Sequence, residues 1–317
     1  MKSKLVTRFW SVLSMVAMLV TIAPAQERAT AATVLVRMTV TANVADGKRV
    51  PEIKREDVFV QQGKERLKVT DWIPAQGEHG GLELFILIDD ASDSSLGSQL
   101  ADLRSFINTQ PPTTLVGVGY MRNATVQIAQ NLTRDHAAAA KALRLPLGSV
   151  GAYGSPYLSV MDLMKRWPST NNRREVLMVT DGIDRARRGP WWRGLSVNPD
   201  MDSASAVAMR TSTIIHTIYT PGVGRLRRNY WEVSSGQMNM AALSDVTGGE
   251  SFFLGLQSPV SFAPYLDQLQ KILSNQYLLS FSAKAGPKAR LQYINLSTEI
   301  AGVEFAAANA VWVPAAK

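Results

Sequence analysis

Hydrophobic positions change period several times along this chain, and each change marks a change of element. From Val34 to Val44 they alternate: Val34, Val36, Met38, Val40 and Ala42 fall on one face, the signature of a half-buried strand. Ala45-Asp46-Gly47-Lys48 follows, with Asp-Gly at the centre of a turn. Val58-Phe59-Val60 and Leu67-Lys68-Val69 bracket Gln62-Gly63-Lys64, which predicts a second hairpin. Together these form a small β module over residues 34–76 that must dock on something else to bury its apolar face. Residues 77–81 read as a linker.

The pattern then alternates strand and helix. Leu84-Phe85-Ile86-Leu87-Ile88 is continuously apolar, as expected of a strand covered on both faces. Ser95 to Asn108 reads as a helix with Leu100, Leu103, Phe106 and Ile107 on one face. Leu115–Met121 and Thr125–Ile128 surround Arg122-Asn123-Ala124 and predict an antiparallel edge hairpin. Thr133-Arg134-Asp135 opens an Ala-rich helix running to Leu143, and Pro156–Arg166 is a further helix striped by Tyr157, Val160, Met161 and Met164. Glu175–Thr180 is another buried strand. A helix capped by Asp202 or Ser203 runs to Arg210, and strand Ile214–Tyr219 follows. Met238–Asp245 is helical, Gly248-Gly249 ends it, Ser251-Phe252-Phe253 is a short last parallel strand, and Phe262–Ser274 is the final helix.

This alternation predicts an α/β fold: a doubly wound, mostly parallel sheet with helices on both faces, over residues 82–275. The tail, 276–317, returns to β character at Tyr277–Ser282 and Leu291–Thr298, with Trp312 in a last strand. Joining these strands to the N-terminal ones gives one β module built from both ends of the chain.

Composition adds a compartment. Lys2, Lys4 and Arg8 precede an apolar run from Phe9 to Ile22, then the small-x-small sequence Ala23-Pro24-Ala25. The run is short of the ~20 residues a spanning helix needs, so residues 1–25 read as a secretory signal cleaved after Ala25. The chain has no cysteine, so neither disulfides nor a lipid-modified cysteine follow the signal. The expected location is the periplasm or the exterior, with no membrane span once the signal is removed. The formal charge of +8 describes a solvated basic surface with some attraction to acidic envelope polymers; it gives no reason to expect nucleic acid.

Ligands of doubly wound sheets bind beyond the carboxyl ends of the strands. Three segments carry oxygen side chains there: Asp89-Asp90-Ala91-Ser92-Asp93-Ser94-Ser95, Gly154-Ser155-Pro156, and Val179-Thr180-Asp181-Gly182. Asp90-x-Ser92-x-Ser94 would aim one carboxylate and two hydroxyls at one point, and such hard oxygens suit Mg²⁺, Mn²⁺ or Ca²⁺.

At these residues the sequence resembles the von Willebrand factor type A (VWFA) family, most closely its exported bacterial VWFA-related branch, over about residues 34–283. Supporting matches are Ala241–Leu243 with Thr247-Gly248-Gly249, Gln276-Tyr277-Leu278-Leu279, and Glu56-Asp57-Val58-Phe59-Val60 with Gly63-Lys64. The resemblance implies a metal-ion-dependent adhesion site. Asp90, Ser92 and Ser94 match its first loop, Ser155 its second, and Asp181 its third. Mg²⁺ is the first choice of ion, with Mn²⁺ or Ca²⁺ as alternatives. The departure is at the start: the apolar strand ends at Ile88, which makes Asp89 the first acid by register and puts Ala91 and Asp93 in the hydroxyl positions. Spacing favours Asp90 and the strand edge favours Asp89. Asp89 is thus the alternative first ligand, and a site led by it is degraded; a degenerate site would hold no metal, its acids only capping the helix that follows.

Arg185, Arg187, Arg188, Trp191, Trp192 and Arg193 follow Asp181 and would lie on the same rim, as candidate contacts for a partner. Enzyme signals are poor. His79, His136 and His216 have no metal-ligand spacing, there is no G-x-S-x-G serine, and Gly222-Val223-Gly224 is no phosphate loop. The expected function is therefore non-enzymatic binding of a protein or a cell-surface polymer, through an acidic side chain that completes a metal shell. The alternatives are a metal-free structural module of the envelope and, last, a metal-assisted hydrolase.

Overall fold

A wholly apolar strand needs cover on both faces, and the strand β4 (Leu82–Asp89) has it: every one of its residues is buried. The computed structural model describes residues 32–45, 49–149, 154–186, 198–224, 229–255, 257 and 259–316. The residues expected to form the leader (1–25) and the centre of the first turn (46–48), and the Arg/Trp segment from Arg187 to Arg193 expected on the rim, lie outside those residues.

Around β4 the chain lays down β5 (Thr114–Arg122), β6 (Thr125–Thr133), β7 (Arg173–Thr180), β8 (Thr213–Tyr219) and the short β9 (Ser251–Phe252). The sheet order is β6-β5-β4-β7-β8-β9. All neighbours are parallel except β6, which pairs antiparallel with β5 as the predicted edge hairpin. Successive side chains of a strand point to opposite faces, and β4 sorts its residues accordingly. Leu84, Ile86 and Ile88 pack under α1 (Leu100–Asn108), α2 (His136–Lys141) and α6 (Ala263–Ser274). Phe85 and Leu87 pack under α3 (Pro156–Arg166), α4 (Pro199–Thr211) and α5 (Tyr230–Thr247). The doubly wound α/β architecture is thus the one expected.

The second sheet is antiparallel throughout. It is made of β1 (Thr33–Val44), β2 (Val58–Gln62), β3 (Glu65–Pro74), β10 (Gln276–Lys284), β12 (Asn295–Thr298) and β13 (Val303–Ala307), in the order β12-β2-β3-β10-β1-β13. N- and C-terminal strands therefore interleave in one β module. A further pair, β11 (Arg290–Tyr293) with β14 (Ala310–Val313), adds Val311 and Val313 to its core. The apolar face of β1 is the expected one, with Val36, Met38, Val40 and Ala42 buried.

Two buried polar groups tie the layers together. Arg173, at the start of β7, donates to the carbonyls of Gly80 (3.4 Å) and Leu273 (3.2 Å) and to the Gln276 side chain, so it holds both points where the chain crosses between the sheets. His216 is packed, as expected: the amide of Glu250 donates to its Nδ1 at 3.0 Å, so Nε2 carries the proton and donates to Glu175 at 2.8 Å.

Several boundaries differ from the sequence reading. The helix before Asn108 opens with a 3₁₀ turn, Ser94–Ser98, because Asp93 caps it by accepting from the amide of Ser95. The α4 cap is Asn198, whose side chain accepts from the amides of Asp200 and Met201; Asp202 and Ser203 lie inside the helix. α5 starts eight residues earlier than Met238, at Tyr230 behind an Asn229 cap. β13 went unrecognised; only Val303 of its five residues is fully buried.

Candidate functional site

The carboxyl ends of β4 and β7 bring the expected segments together, and the geometry separates the two adjacent acids. Asp89 is the last residue of β4 and shares the face of Phe85 and Leu87, toward α3. Its Oδ2 accepts from the Thr180 hydroxyl at 2.8 Å and its Oδ1 from the Ala91 amide at 2.9 Å. Asp90 turns to the opposite face, where Arg144 grips it with two hydrogen bonds of 2.8 and 3.0 Å and the Leu147 amide adds a third at 3.2 Å. The Arg144 guanidinium also lies 3.6 Å over the Tyr120 ring, and its amide donates to the Tyr120 hydroxyl at 2.5 Å. The strand register thus places Asp89, not Asp90, beside the third loop.

Asp181 follows β7. Its Oδ1 accepts from the Ile183 amide at 3.0 Å and from Arg185 Nη1 at 2.9 Å, while Oδ2 takes Arg185 Nη2. Arg185 is expected on the rim, but its side chain is only 6% exposed, and its amide donates to the Gly154 carbonyl at 2.5 Å. A guanidinium is therefore built into the acid cluster. Burial pulls it down, but the charges of Asp181 and Asp89 outweigh that and hold it above the ordinary arginine value. Burial, reinforced by Asp181, pushes Asp89 up to about 6, against the opposing pull of Arg185 and its two hydrogen bonds.

Ser155 is buried and caps α3, its hydroxyl accepting from the Leu158 amide at 3.4 Å, and it also hydrogen-bonds Asp184. Burial and the neighbouring Asp200 push Asp184 up to about 6. Ser92 is buried in a bridge to Gly222, its hydroxyl without a hydrogen-bond partner; Ser94 is exposed at the start of the 3₁₀ turn. Gly222 has a role its sequence context hides. A Cβ there would collide with the Asp181 carboxylate and the Arg185 guanidinium, so only glycine lets this loop close over the ion pair. Arg144, Asp184 and Gly222 were not picked out from sequence. Their contacts cross between loops, and no local spacing encodes such contacts.

A divalent ion needs several oxygens free to converge on it. Here Asp181 faces one guanidinium and Asp90 another, Ala91 offers no side-chain oxygen, and Ser94 lies at the surface. Among the described residues no group of three or more His, Asp or Glu side chains is disposed to hold a metal. The residues present do not fit the ion. The concavity at this edge, lined by Asp89, Arg122, Asn123, Ser155 and Arg185 among others, measures only ≈ 10 Å³, about the room one water requires.

No protein-family model matches the chain, and no curated protein does. Solved structures similar to it include an aerotolerance-related membrane protein from Bacteroides fragilis, at 12% identity and a TM-score of 0.40, covering 61% of this chain and 98% of that one. Another is the conserved hypothetical protein BatB from Bacteroides thetaiotaomicron, at 13% identity and a TM-score of 0.40, covering 61% and 97%. The ArnB paralog VWA2 from Sulfolobus acidocaldarius is similar at 9% identity and a TM-score of 0.37, covering 88% and 76%. Among the described residues no helix is long and apolar enough to cross a membrane.

Proposed function

We propose that this chain is an exported, non-enzymatic binding protein whose strand-end edge recognises a protein or surface polymer without a metal. Arg185 would supply there the fixed positive charge that an ion supplies in a metal-dependent adhesion site. The observation that carries this reading is the Asp181–Arg185 pair, two-pronged, buried, and closed over by Gly222. Such a pair holds its geometry without an exchangeable ion. The ≈ 10 Å³ concavity favours contact between surfaces over capture of a small substrate. The basic composition and the leader-like N-terminus support a partner in the envelope or outside it.

The test is isothermal titration calorimetry of the mature chain with MgCl₂ and MnCl₂, with thermal unfolding in chelator alongside. No binding heat up to millimolar metal and an unchanged midpoint in chelator are expected. Saturable binding abolished by Asp181→Ala would overturn the reading and restore a metal-dependent site.

A further inference from the structure

A cleft among the described residues lies away from the strand-end edge, where the N-terminal ends of β7 and β8 face the β module. It measures ≈ 380 Å³ and is lined by four arginines: Arg37 from β1, Arg173 and Arg174 from β7, and Arg210 from the last turn of α4. No aspartate or glutamate lines it; its other polar walls are hydroxyl and amide side chains such as Ser169, Thr170 and Asn171.

The charges do not cancel. Arg173 and Arg174 each have one buried glutamate at 4.0 Å, Glu175 and Glu83 respectively. Burial nonetheless draws both guanidiniums below the ordinary arginine value, and the glutamates offset that only in part. Among the described residues, Arg37 and Arg210 have no carboxylate within 4 Å, and both are exposed; Arg210 has only the Trp312 ring, 5.9 Å from its guanidinium carbon. Two positive charges are thus uncompensated at the mouth, and a phosphomonoester carries about −1.5 to −2. The exposed carbonyls expected at the end of α4 would repel an anion, but two of them, those of Ala208 and Met209, are already taken. The Ser212 amide donates to Ala208 and Met209, and the Thr211 hydroxyl to Val207 and Ala208. Guanidiniums fit phosphate oxygens two at a time, while serine, threonine and asparagine suit sugar hydroxyls.

We propose that this cleft binds a phosphorylated sugar, the phosphate held between Arg37 and Arg210 and the sugar ring against the Ser/Thr/Asn wall. The site is separate from the strand-end edge and does not depend on how that edge works. The phosphosugar can be free or part of an envelope glycolipid or polymer; the shared chemistry is the phosphomonoester beside hydroxyls.

The test is calorimetry of the full chain at fixed ionic strength with glucose 6-phosphate, glucose, inorganic phosphate and sulfate. Vesicles carrying a sugar-phosphate headgroup lipid, against vesicles of uncharged lipid, distinguish the membrane-borne source from the free one. Glucose 6-phosphate should bind saturably and more tightly than inorganic phosphate, and glucose should give no heat. The double variant Arg37→Gln/Arg210→Gln should lose at least about tenfold in affinity, with its unfolding midpoint unchanged because both side chains are exposed. The variant Lys141→Gln, which removes an exposed positive charge on α2 that does not line the cleft, should bind as the parent does. Absent heat with glucose 6-phosphate, undiminished affinity in the double variant, or equal affinity for sulfate would each overturn the proposal. Equal affinity for inorganic phosphate would overturn its sugar half.

Discussion

Replacing Asp89 by asparagine removes a buried charge and leaves the shape of the side chain intact. The folded protein holds this carboxyl at about 6 against an ordinary 3.8, with burial the largest cause and the charge of Asp181 the second. Between those two values the folded state binds a proton that the unfolded state has released. Stability contributed by the proton is therefore lost as pH rises from about 4 to about 6, and above that the deficit is constant. Some two units at ~1.4 kcal/mol each make that deficit ~3 kcal/mol at neutral pH. Asparagine keeps an acceptor for the Ala91 amide and turns its NH₂ to the Thr180 hydroxyl, an exchange that costs about 1 kcal/mol. Asp89→Asn should therefore raise stability by about 2 kcal/mol at pH 7 and lower it by about 1 kcal/mol at pH 4, where the ionisation deficit is absent and only the exchange remains. The assay is urea unfolding of parent and variant at half-unit steps from pH 4 to pH 7.5. Part of the slope should survive in the variant, because Asp184 is also raised to about 6, by burial and by Asp200, and acts with the same sign. A variant less stable than the parent at pH 7, or two parallel pH profiles, would refute the reasoning.

Two other substitutions probe the same edge. Arg144→Ala strands the fully buried Asp90 carboxylate with only the Leu147 amide, and should cost about 3 kcal/mol in urea unfolding; because Arg144 is itself 39% exposed, a loss under about 1 kcal/mol would show that water screens the pair. Gly222→Ala should cost about 1–3 kcal/mol, since its Cβ must displace the Asp181–Arg185 pair, and an unchanged thermal midpoint would mean that the loop yields freely.

Elements with strict periodicity were readable from sequence, and the reason is burial. The strands around Leu84–Ile88, Glu175–Thr180 and Ile214–Tyr219 are covered on both faces, so apolar residues dominate them, and the buried Glu175 and His216 are paired with each other. The first half of α5 was not readable. Trp231 and Met238 are 79% and 63% exposed there and Val233 is its one buried apolar side chain, while Gly236, lacking a side chain, lets the helix backbone touch the Asp181–Gly182 loop. Close approach through a glycine leaves no hydrophobic stripe to detect. Arg185 shows a different limit. Its position four residues after Asp181 is plain in the sequence, yet a loop has no fixed period, so the spacing does not say whether the guanidinium faces the acid or the solvent.

The Asp89-Asp90 pair shows why a motif and a register can disagree. A D-x-S-x-S pattern describes side chains converging in a loop, and on spacing alone it selects Asp90. Strand geometry imposes a stricter condition, because neighbours on a strand point to opposite faces and only one of two adjacent acids can face α3. Phe85 and Leu87 belong to the α3 face and Ile86 and Ile88 to the α1 face. Continuing that alternation by one residue sends Asp89 toward Thr180 and by two sends Asp90 toward Tyr120 and Arg144. The apolar core thus decides the chemistry of the edge. By fixing the phase of β4 it places Ala91, which has no side-chain oxygen, two residues beyond the inward acid, and Ser94 at the surface. The charge of Asp181 is then left to a guanidinium from its own loop.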